Sequence, residues 1–259
     1  MPSGFPVSTK PIFLRRFSFQ PTAKTNNLSK VPVFQVSAIT IDAAGTLIVP
    51  WPSVGAIYAR ALRGIGVDAE EEELEQRFRK SFAVAESSNE RLKDSGQDFW
   101  KKVVYKTFEG ICPEESLESI FQELWEAFAA GKCWRLAEYS METCLQLKNK
   151  GYRLAILSNN DSRLRNVLQD LGVIDLFEEI FISYELGFEK PSSEIFRHVE
   201  KTMNTKPSDM LHVGDSLSRD VEGALSAGWS SVLFSKESCK LPEGAVRASS
   251  FPEISEMLP

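Results

Sequence analysis

Short apolar runs, one early in this chain and four in its second half where they alternate with helical patterns, constrain the fold more than any other feature. The first run, residues 33–41, is too short for an independent helix and suits a buried parallel strand. Four more follow at 153–157, 180–183, 210–213 and 231–234. Between them the spacing predicts helices over 163–171, stopped by Gly172, over 193–203, and over 221–227, stopped by Gly228. A strand that leads through a helix into a parallel neighbour makes a right-handed crossover. The expected class is therefore α/β, a three-layer Rossmann-like sandwich of parallel sheet with helices on both faces.

The stretch from Val54 to Ala130 breaks the alternation, with four helical patterns and no convincing strand. Leu117, Ile120, Phe121, Leu124 and Phe128 recur at helical spacing, and Leu74, Phe78 and Phe82 step by four. These stripes read as the core of a small helical lobe. The expected organisation is a core of residues 33–50 and 132–259, interrupted by an all-helical cap at 51–131. An insertion directly after the first strand would stand beside the carboxyl edge of the sheet, where open α/β folds place ligands.

Residues 1–41 contain Lys10, Arg15, Arg16, Lys24 and Lys30 and no acid, and are dense in Ser and Thr. A basic, hydroxyl-rich, acid-free start reads as a removable targeting segment over 1–32. Pro2, Pro6, Pro11 and Pro21 interrupt the amphipathic helix of a mitochondrial presequence. The expected address is the chloroplast, with mitochondrion or cytoplasm as alternatives. The net charge of −6 argues against nucleic acid as a partner. No apolar run approaches the roughly 18 residues of a membrane-spanning helix. Cys112, Cys133, Cys144 and Cys239 lack metal-ligand pairing and read as reduced thiols. With only two histidines in the chain, chemistry must rest on carboxylates, hydroxyls and lysines.

Such groups gather at the ends of the expected strands. Asp42 ends the first and is followed by Ala43, Ala44, Gly45 and Thr46. A carboxylate at that edge can attack phosphorus if a cation screens the incoming anion. Ser158 and Asn159 close the second strand, Lys190 precedes Pro191 and a helix, and Gly214-Asp215-Ser216-Leu217-Ser218-Arg219-Asp220 follows the fourth. Taken singly each has a plain structural reading: Asp220 as a helix N-cap, Ser158 and Asn159 as the start of a turn capped by Asp161 or Ser162, Lys190 as a surface lysine. Together they supply three carboxylates for a hard divalent ion, a hydroxyl for a phosphoryl oxygen and a cation against accumulated negative charge. His212 reads as a packed strand residue, while Trp51 and Phe188 could each face a pocket or the core.

In this order the segments resemble the four motifs of the haloacid dehalogenase-like hydrolase superfamily, over Val36 to about Phe234. Tyr58-Ala59-Arg60-Ala61-Leu62 and Phe99-Trp100-Lys101-Lys102-Val103-Val104 resemble the subgroup called haloacid dehalogenase-like hydrolase domain-containing protein 3. The resemblance implies a Mg²⁺-dependent hydrolase acting on a small phosphorylated molecule. Asp42 would be the nucleophile, forming an aspartyl-phosphate. Ser158, Asn159 and Lys190 would bind the phosphate, and Asp42, Asp215, Asp220 and the backbone carbonyl of Ala44 would form the metal site.

One departure stands out. Phosphatases of the family carry a second aspartate where this chain has Ala44, and that residue protonates the leaving oxygen and activates water. Loss of a positioned acid/base costs about 10²–10⁴-fold in rate. Three readings follow: a hydrolase with another acid/base or an easily expelled leaving group, a phosphonatase-like C–P hydrolase using a Schiff-base lysine among Lys80, Lys93, Lys101, Lys102 and Lys106, or a non-catalytic descendant that binds a phospho-ligand or partner protein.

Overall fold

The computed structural model describes residues 33–87 and 96–259. The expected targeting segment at 1–32 and Lys93 lie outside them. The first apolar run becomes β1 (Ala38–Ile41), shorter than expected. Its neighbours begin opposite Ala38, at Arg153 and Met210, so residues 33–37 have no ladder to join. They run instead as extended coil, with Phe34 N–H donating to Met257 and Ser37 N–H to Asp209.

After β1 come β2 (Ile48–Pro50), α1 (Val54–Gly64), α2 (Glu71–Ser87), α3 (Gly96–Phe108), α4 (Leu117–Ala127) and β3 (Trp134–Leu136). The order continues with α5 (Ser140–Asn149), β4 (Arg153–Ser158), α6 (Arg163–Asp170), β5 (Glu179–Ile182), a short α7 (Ser183–Leu186) and α8 (Ser193–Met203). Then follow β6 (Met210–Gly214), a π-type turn (Leu217–Glu222) leading into α9 (Gly223–Ser226), β7 (Ser230–Phe234), β8 (Ala245–Ala248) and α10 (Phe251–Glu256). Among the described residues no helix is long and apolar enough to cross a membrane.

Six strands form one parallel sheet in the order β5-β4-β1-β6-β7-β8. Side chains alternate across it as strand geometry requires. Ile39, Ile41, Leu154 and Ile156 face one layer, packing with Leu147 of α5, Leu168 of α6 and Phe251 of α10. Ala38, Ala155 and Leu157 face the other, with Phe196 and Val199 of α8 and Ala224 of α9. This is the expected three-layer α/β architecture.

The helices α1–α4 enclose a separate cluster around Tyr58, Leu62, Leu74, Phe108, Phe121 and Leu124, matching the periodic stripes. Two strands unseen in the periodicity flank it. β2 and β3 pair antiparallel, Ile48 opposite Leu136 and Pro50 opposite Trp134, so the chain enters and leaves the helical insertion through one narrow neck. Three residues of strand on either side are too few to register as a pattern.

Candidate active site

The site is built on three adjacent strands that end together. Asp42 follows β1 directly, and its N–H still donates to Val213 at 2.8 Å, continuing the ladder, so its carboxylate stands at the carboxyl edge. The turn after it is closed by Leu47 N–H donating to Asp42 O and Thr46 N–H to Ala43 O. Gly45 sits at φ +93°, and a Cβ there would lie 2.7 Å from Asp215 Oδ2. Conformation and close approach both require glycine. Thr46 Oγ1 donates to Asp215 Oδ1 at 3.3 Å, tying the two loops together. At the end of β6 a Cβ on Gly214 would stand 2.2 Å from Asp220 Cγ, so this glycine is what lets the Asp220 carboxylate fold back under the strand.

Lys190 binds these pieces. Its ammonium is 2% exposed and donates to Asp220 Oδ1 at 2.6 Å, Leu157 O at 2.7 Å and Asp42 Oδ1 at 2.9 Å, which uses all three protons. Burial alone would lower its pKa, but the charges of Asp220 and Asp42 outweigh that and hold it above the ordinary value. Asn159 secures the lysine from behind. Its Nδ2 donates to Lys190 O at 2.8 Å and its Oδ1 accepts from Lys190 N–H at 2.9 Å. The Asn159 amide thus positions Lys190 through both its oxygen and one of its two N–H donors, while the residue also borders the cavity described below.

His212 proves to belong to the same network. Its Nε2 lies 3.1 Å from Asp220 Oδ1 and 3.4 Å from Lys190 Nζ, and its Nδ1 lies 2.8 Å from Thr40 Oγ1. Burial, reinforced by the Lys190 charge, lowers its pKa. A neutral ring with its proton on Nε2 satisfies both partners. Asp220 is likewise more than a cap. Its Oδ2 accepts Ser216 N–H at 2.8 Å, and although burial pushes its carboxyl up, Lys190 and His212 pull it well below the usual range.

Oxygen atoms of Asp42, Asp215 and Asp220 lie within 4.8 Å of one another. Three carboxylates against one buried ammonium leave negative charge in excess. Asp215 shows the strain: burial, then Asp42 and Asp220, push its carboxyl up to about 7. A crowded set of hard oxygen donors short of positive charge fits a divalent cation such as Mg²⁺.

Above this floor opens a cavity of about 260 Å³, lined at one end by Asp42, Ala44, Ser158, Asn159, Lys190 and Asp220, and elsewhere by side chains of α1–α4 and α6. Ser158 is buried at the end of β4, facing the same space as Asp42. Phe78, Phe82, Phe121, Leu124 and Phe128, expected only as core, also line the cavity. Among the described residues, none of the insertion's lysines does so: Lys101 pairs with Glu118 and Lys106 with Glu109, and Lys80 and Lys102 are exposed. Trp51 is exposed under Arg135, whose guanidinium carbon lies 4.1 Å from the ring centroid, and Phe188 packs against His198.

A second ionic node, missed in the sequence, joins the insertion to the sheet. Arg163 forms two 2.8 Å bonds with Asp161, donates to Trp125 O at 3.0 Å and lies 3.3 Å from the Trp125 ring centroid. Trp100 Nε1 donates to Asp161 at 3.2 Å. Burial raises the Asp161 carboxyl, but Arg163 outweighs it and the net shift is below the ordinary 3.8. A carboxyl depressed in the folded protein stabilises it above its unfolded-state value and ceases to do so as pH falls through the folded-state value. The stability gap between wild type and Asp161→Asn should therefore be widest near neutral pH and narrow below about pH 4, as read by urea denaturation across pH. A constant gap would show that the pair does not titrate with folding.

Comparison with known proteins accords with this geometry. A profile of haloacid dehalogenase-like hydrolases matches residues 36–228. The chain belongs to the haloacid dehalogenase-like hydrolase family. Within that family it is 32% identical over 236 residues to mouse haloacid dehalogenase-like hydrolase domain-containing protein 3, covering 87% of this chain and 93% of the relative. It is 38% identical over 96 residues to the glyceraldehyde 3-phosphate phosphatase of Methanothermobacter thermautotrophicus, covering 37% of this chain and 42% of that one. Among solved structures, the family hydrolase YfnB of Bacillus subtilis, bound to magnesium, matches with a TM-score of 0.71 at 18% identity, over 86% of this chain and 98% of the other.

Proposed function

We propose that this hydrolase transfers the phosphoryl group of a small phosphate monoester to Asp42 and then to water, with Mg²⁺ as cofactor. The single observation that carries the reading is the convergence of Asp42, Asp215, Asp220 and Lys190 in one cluster opening on a cavity. Asp42, Asp215, Asp220 and the Ala44 carbonyl would hold the ion. Bound there, it would screen the phosphate's charge and polarise the phosphoryl oxygens.

The protein's own groups account for the rest. Lys190 fixes the orientation of Asp42 and offsets its charge, so that a phosphate dianion can approach. One Asp42 oxygen attacks phosphorus, the bond to the leaving oxygen breaks, and that oxygen departs with the electron pair. Ser158 would donate a hydrogen bond to a transferred oxygen. Water attacking phosphorus then releases phosphate and restores the carboxylate. Ala44 supplies no proton at either stage.

The metal reading has a direct thermodynamic test. A ligand that binds only the folded state at 100 times its Kd stabilises by about 2.7 kcal/mol. Saturating Mg²⁺ should raise the melting temperature of the EDTA-treated protein by several degrees, roughly 2–4 °C per kcal/mol for a domain of this size. Asp215→Asn should abolish the rise. An equal rise in that variant would place the ion elsewhere. For the covalent step, radiolabelled acetyl phosphate with Mg²⁺ should leave acid-stable label on Asp42, located by peptide mapping. Absence of label from acetyl phosphate and from every ester tried would refute phosphoryl transfer.

A further inference from the structure

From the cavity wall and the alanine at position 44, we infer that the substrate is a phosphate monoester of an apolar aromatic alcohol, whose oxygen leaves as a resonance-stabilised aryloxide. This rests on the phosphoryl-transfer reading and goes beyond it by naming the leaving group's class.

The first argument is the wall. Phe78, Phe82, Trp100, Phe121 and Phe128 all border the space that opens from Asp42. Phe82 and Trp100 stack with centroids 5.7 Å apart and planes inclined by 27°. Two charged pairs also reach the cavity. Arg163 is held by Asp161 and Trp125, and Glu86 is in contact with Arg219. A sugar-like leaving group would press most of its hydroxyls against the Phe78, Phe82, Phe121 and Phe128 rings, with few polar groups such as Tyr58 and Asn160 in reach, at a cost of roughly tenfold in affinity for each hydroxyl left unpaired. A flat apolar group gains by the same burial. The volume, about 260 Å³, is enough for a phosphate with one or two fused rings.

The second argument is independent of the first. With Ala44 lining the space beside Asp42, no side-chain acid at that position protonates the departing oxygen. Without an acid there, the P–O bond breaks most readily when the electron pair goes to an oxygen that can hold it unprotonated. An aryl oxygen can do so far better than an alkyl one, taking its proton later from solvent, according to its own pKa.

The test is a set of Mg²⁺-supported steady-state assays on 1-naphthyl phosphate, 2-(1-naphthyl)ethyl phosphate and glycerol 3-phosphate, beside acetyl phosphate labelling of Asp42. We expect kcat/KM to fall in that order, with at least about 10²-fold between first and last. The two naphthyl compounds should differ mainly in kcat, and the two alkyl phosphates mainly in KM. Phe82→Gln should raise KM for 1-naphthyl phosphate about tenfold, and Phe82→Leu should restore most of it. Ala44→Asp should shrink the kcat gap between the naphthyl compounds. Turnover of glycerol 3-phosphate at or above the rate of 1-naphthyl phosphate, with Asp42 still labelled, would overturn this inference alone. No labelling from any compound would overturn the catalytic reading and this inference with it.

Discussion

Lys190→Ala should cost the metal-free protein about 3–5 kcal/mol of stability, the range for removing one partner of a buried ion pair. The reason is what it leaves behind. Asp220 and Asp42 are both buried, and Lys190 is the cation that donates to both, so its loss strands two carboxylates in a site that already carries excess negative charge. For a domain of this size the melting temperature in EDTA should drop by roughly 10 °C. Lys190→Met combined with Asp220→Asn should recover much of the loss, because the penalty is that of uncompensated charge and not of missing volume. A Lys190→Ala protein that melts within a degree of wild type would mean that water or rearrangement satisfies the carboxylates, and that the network is weaker than its distances imply.

Asp42→Asn should behave in the opposite way. Turnover should fall by on the order of 10⁴-fold or more, as for loss of a covalent nucleophile, and acetyl phosphate should leave no label. Stability should change little, since Lys190 keeps its 2.6 Å bond to Asp220 and the site sheds one of its crowded negative charges. The two variants thus separate architecture from chemistry. Loss of activity with stability intact at Asp42, and loss of both at Lys190, is the expected pair of phenotypes. Equal residual turnover in wild type and Asp42→Asn, assayed on the naphthyl and glycerol esters, would refute Asp42 as nucleophile.

Much of this arrangement was legible in the residues because the central strands of the sheet are buried on both faces. Residues 153–157, 210–213 and 231–234 are continuous apolar runs bounded by turn residues, and the polar residues that close them could be placed at one edge by topology alone. β8 escaped because Ala245–Ala248 is a short, partly exposed edge strand with Arg247 in its middle. α5 escaped because only Cys144 and Leu147 mark its buried side among the larger apolar residues. The site hid in different ways. Helical spacing tells which side of α2 or α4 turns inward, but not whether the inward side is filled, so Phe78, Phe82 and Phe121 could be read as core though they also wall a cavity. Nothing in the sequence links Asn159 to the backbone of Lys190, 31 residues away, or His212 to Asp220 across the end of a strand.

The strand order has a further consequence, for how the protein reaches its native state. β1 lies between β4 and β6, so Asp42 meets Lys190 across 148 residues of chain and Thr40 meets His212 across 172. Closing loops of that length precedes any reward from the contacts they allow, whereas α1, α2 and α3 pack on near neighbours in sequence. On refolding from denaturant, the helical insertion can therefore consolidate while the sheet is still searching for its register. The carboxylate cluster needs three distant segments at once and cannot form before they meet.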